Sequence, residues 1–152
     1  MKTLKLRWMA KKPGQPVEEL TFDIEYEDAE DRAAKELKLA QILVKGYVEV
    51  VWIGGEIKGL VNEEAMYAPD MEHNCGYLGN IVFIRESVEG DEVWFGSITD
   101  EDARKIKAWT IAHANEVHPG HGVQVFSGQA ADEYRKKLHE HQKMQQQEWE
   151  SF

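Results

Sequence analysis

The run Gly46-Tyr47-Val48-Glu49-Val50-Val51-Trp52-Ile53-Gly54-Gly55-Glu56-Ile57-Lys58-Gly59-Leu60-Val61-Asn62 constrains this chain more than any other stretch. Two apolar, β-branched segments flank a Gly-Gly step, which is a strong short-range signal for a β-hairpin. It implies a sheet to which the neighbouring segments add further strands.

Upstream, residues 3–10 alternate with period two and place Leu4, Leu6 and Trp8 on an inner face. A Lys-Pro-Gly turn at Lys12-Pro13-Gly14 follows. Residues 17–26 give the cleanest alternation: Leu20, Phe22, Ile24 and Tyr26 on one face, Glu19, Thr21, Asp23 and Glu25 on the other. The two runs are expected to pair. Asp28 is an N-cap for a helix over about 29–45, with Glu30 and Asp31 in its first turn and Gly46 at its end. Its stripe is Ala33, Leu37, Ala40 and Val44, broadened by Ile42 and Leu43.

Beyond the hairpin, 62–79 reads as irregular, with one helical turn over 63–67. Two strands are expected over 80–86 and 91–96. Thr99-Asp100-Glu101-Asp102 opens a helix over about 101–116 in the manner of a capping box, with Ile106, Trp109 and His113 on one side. Residues 123–126 form a short strand candidate. A last helix over about 130–148, capped by Ser127 or Gln129, has a thin stripe of Ala131, Tyr134 and Leu138 and is expected to dock weakly. The expectation is an α+β domain: a mostly antiparallel sheet of five or six strands, helices on one face, and an appended C-terminal helix. The domain spans 1–126, with 127–152 as its helical extension.

A chain of 152 residues suits one domain. No apolar run approaches the ~20 residues of a membrane helix, and residues 1–8 lack a signal peptide's apolar core. Cys75 is the single cysteine, so no internal disulfide forms and a cytoplasmic, reducing location in a host cell is expected. With 28 acidic against 18 basic residues, the net charge is −10. That charge disfavours a nucleic-acid backbone or an anionic membrane as direct partner and favours a cationic one.

Residues 3–103 resemble a small uncharacterised family of bacteriophage and plasmid genomes. The resemblance rests on four features in order: the early hairpin with its Lys-Pro-Gly turn, the helix running into Gly46-Tyr47-Val48-Glu49-Val50-Val51, the segment Gly59-Leu60-Val61-Asn62-Glu63-Glu64, and Ile98-Thr99-Asp100-Glu101-Asp102 after two strands. This chain has Ala65 and Met66-Tyr67-Ala68-Pro69 where the family typically carries a glycine and a Leu-Pro-x-Asn segment. The resemblance implies a mobile-element origin and an α+β fold, and it brings no established catalytic residues.

The sharpest candidate site is an acidic row. Glu18, Glu19, Asp23, Glu25, Glu27, Asp28, Glu30 and Asp31 follow one another with no intervening lysine or arginine. On a strand, every second carboxylate stands roughly 6.5–7 Å from the last, close to the phosphate spacing of a nucleic-acid strand. Such a row fits a basic groove; it also fits an edge strand charged against aggregation. Trp149 and Phe152, in a polar tail, are candidates for a partner contact or self-association, so a homo-oligomer is compatible with the sequence.

His113, His118 and His121 form a loose metal-ligand candidate across a Pro-Gly loop, without a His-Glu-x-x-His or Cys-x-x-Cys pattern. Cys75 beside His73 lacks the spacing of an activated thiolate. No catalytic constellation and no cofactor motif is present in the sequence. The favoured expectation is a non-enzymatic phage or mobile-element accessory protein, a counter-defence inhibitor that blocks a host protein with a basic surface. The alternatives are a nucleotide sponge with a pocket near Asn62, Asn80 and Arg85, and a metal-dependent enzyme using the three histidines.

Overall fold

The computed structural model describes residues 1–68, 70–119 and 128–152. The strands are β1 (Lys2–Lys11), β2 (Glu18–Tyr26), β3 (Val48–Gly54), β4 (Ile57–Asn62), β5 (His73–Asn74), β6 (Tyr77–Leu78), β7 (Ile81–Glu89) and β8 (Glu92–Gly96). β1 and β2 form where apolar residues recur with period two, and β7 opens on a continuous apolar run. Among the described residues the helices are α1 (Ala29–Val44), α2 (Asp100–Ala112) and α3 (Gln129–Ser151), with one 3₁₀ turn at Ala65–Tyr67. The Asp28 side chain accepts from the Asp31 N–H at the start of α1, and Thr99 with Asp102 forms a reciprocal capping box at α2.

The main sheet is antiparallel in the order β2-β1-β7-β4-β3, and β8 also pairs with β7. β7 serves two partners in turn along one side. Met9 to Lys11 of β1 lie opposite Phe83 to Ile81, and from Arg85 onward β8 takes over, with Gly96 opposite Arg85. The sheet therefore forks where β1 and β8 diverge. Four hydrogen bonds bridge the fork: Trp8 Nε1 to the Phe95 carbonyl, the Arg7 N–H to Ser97 Oγ, Ser97 Oγ to the Lys5 carbonyl, and the Ile98 N–H to the Arg7 carbonyl.

The α+β class, the antiparallel sheet and the C-terminal helix are as the sequence led one to expect. The placement of the helices on a single face is corrected. α1 covers one face, packing Ala40 and Val44 on Leu6, Trp8, Ile24, Leu60, Val82 and Ile84. α2 and the end of α3 cover the other, where Ile106, Trp109 and Trp149 meet Met9, Ile57, Ile81 and Phe83. The reason lies in the central strands. Ile81, Val82, Phe83 and Ile84 are all fully buried, so β7 is apolar on both faces and both must be covered.

Local boundaries also shift. α1 is rotated so that Glu36 is buried, while Leu37 and Ile42 are exposed. Its left-handed C-cap is Lys45 (φ 64°) rather than Gly46. α2 ends at Ala112, and α3 starts after Gly128 with no side-chain cap. The irregular stretch holds the β5–β6 hairpin, turning through Cys75 and Gly76, both with positive φ (50° and 86°) as a type I′ turn requires. The strand candidate at 123–126 and the Ser127 cap lie outside the described residues.

Candidate functional site

Among the described residues, β2 is the outermost strand on its side of the sheet and hydrogen-bonds only to β1. In an antiparallel pair, alternate residues turn both backbone groups toward the partner and the rest turn both away. The Arg7 N–H and C=O face Ser97 and Ile98, away from β2, so the even-numbered residues of β1 carry the bonds to β2. Arg7 stands opposite Thr21 in the register, and the outward set on β2 is therefore Glu19, Thr21, Asp23 and Glu25. Independently, the Glu25 carbonyl accepts from Lys35 Nζ of α1 at 2.5 Å. The residues whose side chains make the acidic face are those whose backbone is open at the edge.

The eight acids have different fates. Glu19 pairs with Arg7, which also holds Asp100 at 2.7 Å; these two carboxylates, Glu19 first, raise the Arg7 pKa. Asp28 and Asp31 are committed to the helix start: Asp31 Oδ2 accepts the Glu27 N–H at 3.0 Å and stands 3.2 Å from Lys35 Nζ. The Glu27 N–H, then Lys35, lowers the Asp31 pKa. Asp23 lies directly across from Lys5 in the register. Among the described residues, Glu18, Asp23, Glu25, Glu27 and Glu30 have no cation within ion-pair distance, and all five are exposed. The row is thus partly matched by β1's own cations and free toward its Asp23–Glu30 end.

Between this edge and α1 runs an open groove of about 800 Å³, lined by Asp23, Ile24, Glu25, Lys35, Leu39 and Ile42 among others. Ile42 is 64% exposed there. The sequence reading missed both the groove and the internal cations. Lys5 and Arg7 alternate with Leu4, Leu6 and Trp8 in a segment already expected to pair with β2, so a register argument could have found the cations.

The other candidates fall elsewhere. Trp149 is corrected as a partner contact: it is 5% exposed and sits on Gly54, where any Cβ would fall 2.2 Å from Trp149 Cγ. Phe152 is half-buried on the same core, 6.3 Å from the Trp149 ring. The weak docking expected of α3 is likewise corrected, because its end is a core element.

His113 stacks on Trp109 at 4.5 Å, with Nε2 2.6 Å from Glu148 and Nδ1 2.8 Å from Glu116. The Nδ1 contact is close in distance but not aligned as a hydrogen bond. His118 gives its backbone N–H to His73 Nδ1 at 2.9 Å, and His121 lies outside the described residues. Among the described residues no three His, Cys, Asp or Glu side chains converge as metal ligands. Cys75 is buried beside the Thr110 carbonyl, and burial pushes its thiol pKa up, away from thiolate chemistry.

Asn62 Nδ2 donates to the Val44 and Lys45 carbonyls and Asn80 Nδ2 to the Leu43 carbonyl, so both carboxamides close the end of α1. Arg85 is paired with Asp102 on the opposite face of the sheet. These three residues do not converge on one pocket.

Searched against protein-family models, curated proteins and solved structures, the chain returns no match.

Proposed function

We propose that this chain is a non-enzymatic binding protein that engages a cationic surface on a host macromolecule through the β2 edge and blocks it. The accessory role fits the mobile-element origin that the resemblance implies, and counter-defence in a host cell is the setting we propose for it. The observation that carries the reading is a group of exposed carboxylates with no cation at ion-pair distance among the described residues, Asp23 and Glu25 on the open sheet edge and Glu27 and Glu30 just beyond it at the start of α1, in a chain of net charge −10. A stiff strand holds such charges at fixed spacing, which gives selectivity as well as attraction.

The test is capture from a bacterial lysate by wild-type protein and by two triple variants of equal charge. One carries Asp23→Lys, Glu25→Lys and Glu27→Lys; the other carries Asp132→Lys, Glu133→Lys and Glu140→Lys on the exposed side of α3. Capture by wild type should fall at least tenfold on raising salt from low to high, because exposed charges are screened. The β2 variant should lose the same proteins at low salt, and the α3 variant should keep them. Equal loss in both variants, or equal retention, overturns the reading.

A further inference from the structure

We infer that the occupant of the β2 edge is an extended strand alternating cationic and apolar side chains, added to the sheet through backbone hydrogen bonds. This rests on the binding function proposed above and specifies the partner's form. Three features of the edge lead to it. The N–H and C=O groups of Glu19, Thr21, Asp23 and Glu25 point away from β1, so the sheet offers a ready ladder for one more strand. An added strand places alternate side chains on opposite faces. On the α1 side those side chains meet Ile24, Leu39 and Ile42 under a rim of Lys35 and Lys38, which accepts apolar groups and repels cations. On the other side they meet Asp23 and Glu25, which select cations.

The chain contains its own template for this pattern. β1 already lies along the inner side of β2 and alternates Leu4, Leu6 and Trp8 with Lys5 and Arg7. Its apolar residues face α1, its Lys5 stands across from Asp23, and its Arg7 bonds Glu19. A strand of the same character on the outer side would repeat these contacts in mirror position. Lys35 meanwhile holds the place of an incoming donor, since its ammonium sits on the Glu25 carbonyl where a partner N–H would arrive. A second copy of β2 is a poor occupant, because it would set Asp23 and Glu25 against like charges across the new ladder.

Three acetylated and amidated peptides of one length and net charge separate strand addition from charge attraction: lysine and valine in alternation, the same residues in two blocks, and the alternating peptide with every amide N-methylated. The alternating peptide should bind at least tenfold more tightly than either control. Amide hydrogen exchange should show the Thr21, Asp23 and Glu25 N–H groups unprotected in the free protein and slowed at least tenfold when it is bound. Thr21→Pro removes one outward donor at a site where an edge strand tolerates proline and keeps the charge, and it should weaken binding about tenfold. Ile42→Ser, an exposed change on the groove wall, should weaken it in the same sense.

Equal affinity for all three peptides with no amide protection overturns strand addition and leaves the electrostatic reading standing. Binding of none, together with unchanged lysate capture by the β2 triple variant, overturns both. Protection of the same amides by concentration alone, with dimers in sedimentation, overturns the choice of occupant.

Discussion

At β3, the outer strand on one side of the sheet, side chains of α3 reach the backbone. Gln145 Nε2 donates to the Trp52 carbonyl at 2.9 Å, and the Gly55 N–H donates to Gln146 Oε1 at 3.0 Å. Trp149, one turn further on, lies over Gly54. At β2, on the other side, Lys35 is the only side chain among the described residues that bonds the outward backbone, and the guard is a row of carboxylates. Neutral amides occupy backbone groups at the turn end of β3 and close that end to an added strand. Charges leave the backbone groups open and repel only strands of like sign. The first device ends pairing; the second makes it selective.

The contrast is most easily broken at Trp149. Trp149→Ala should cost about 3–5 kcal/mol, measured by urea denaturation, because a buried indole is removed and Gly54–Gly55 loses its cover. A loss under about 1 kcal/mol would mean that α3 does not close the β3 end. The β2 edge should be untouched, so peptide affinity of the folded variant should match that of wild type.

How much of this was legible in the sequence follows from the range of the forces involved. Period-two strands, the Asp28 cap and the Thr99 box are set by residues close in the chain, and they stood where the pattern placed them. Trp149 did not declare itself because its flanks are polar and the hole it fills is made by Gly54, far upstream. Glu36 was unreadable for a similar reason. A helical wheel sorts residues by type and puts Leu37 inward, but the fork between β1 and β8 presents Trp94 to this side of α1. Arg32 stacks over that ring at 4.3 Å and brings Glu36 in with it. Of the binding edge, the acids were visible and the groove was not, since Leu39 and Ile42 meet β2 only after the chain has turned back on itself.

Glu36 gives the second way to sharpen the contrast, since the α1 side buries a carboxylate where the α3 side buries an indole. Glu36 is 1% exposed; Arg32 Nε lies 3.4 Å away, yet neither carboxylate oxygen has an aligned donor. Burial raises its pKa, and Arg32 and the nearby Phe95 N–H offset this only in part. The folded state therefore binds this proton more tightly than the unfolded chain does. Its contribution to stability is fully present below the ordinary glutamate range and is lost as pH rises through the raised folded value. Glu36→Gln should flatten the stability profile in that window and be more stable than wild type above it, by about 1–2 kcal/mol. Denaturation midpoints across pH read this directly, and a variant that is less stable than wild type at every pH would show that the Arg32 pairing outweighs burial.

The smallest effect on stability, and the finest test of the edge itself, belongs to Lys35. Lys35→Met keeps the aliphatic stem on the groove wall and removes the ammonium from the Glu25 carbonyl and from Asp31. Both contacts are exposed, so the change in folding stability should stay within about 0.5 kcal/mol. If the ammonium occupies the place of a partner's N–H, clearing it leaves the outward carbonyl without its internal donor and lowers the cost of adding a strand. The alternating peptide should then bind severalfold more tightly to Lys35→Met, while the N-methylated peptide should gain only what the lost positive charge supplies. Equal gains for both peptides would reduce Lys35 to a charge on the rim. A gain confined to the peptide with free N–H groups would mark the Glu25 carbonyl as the first rung of the added ladder.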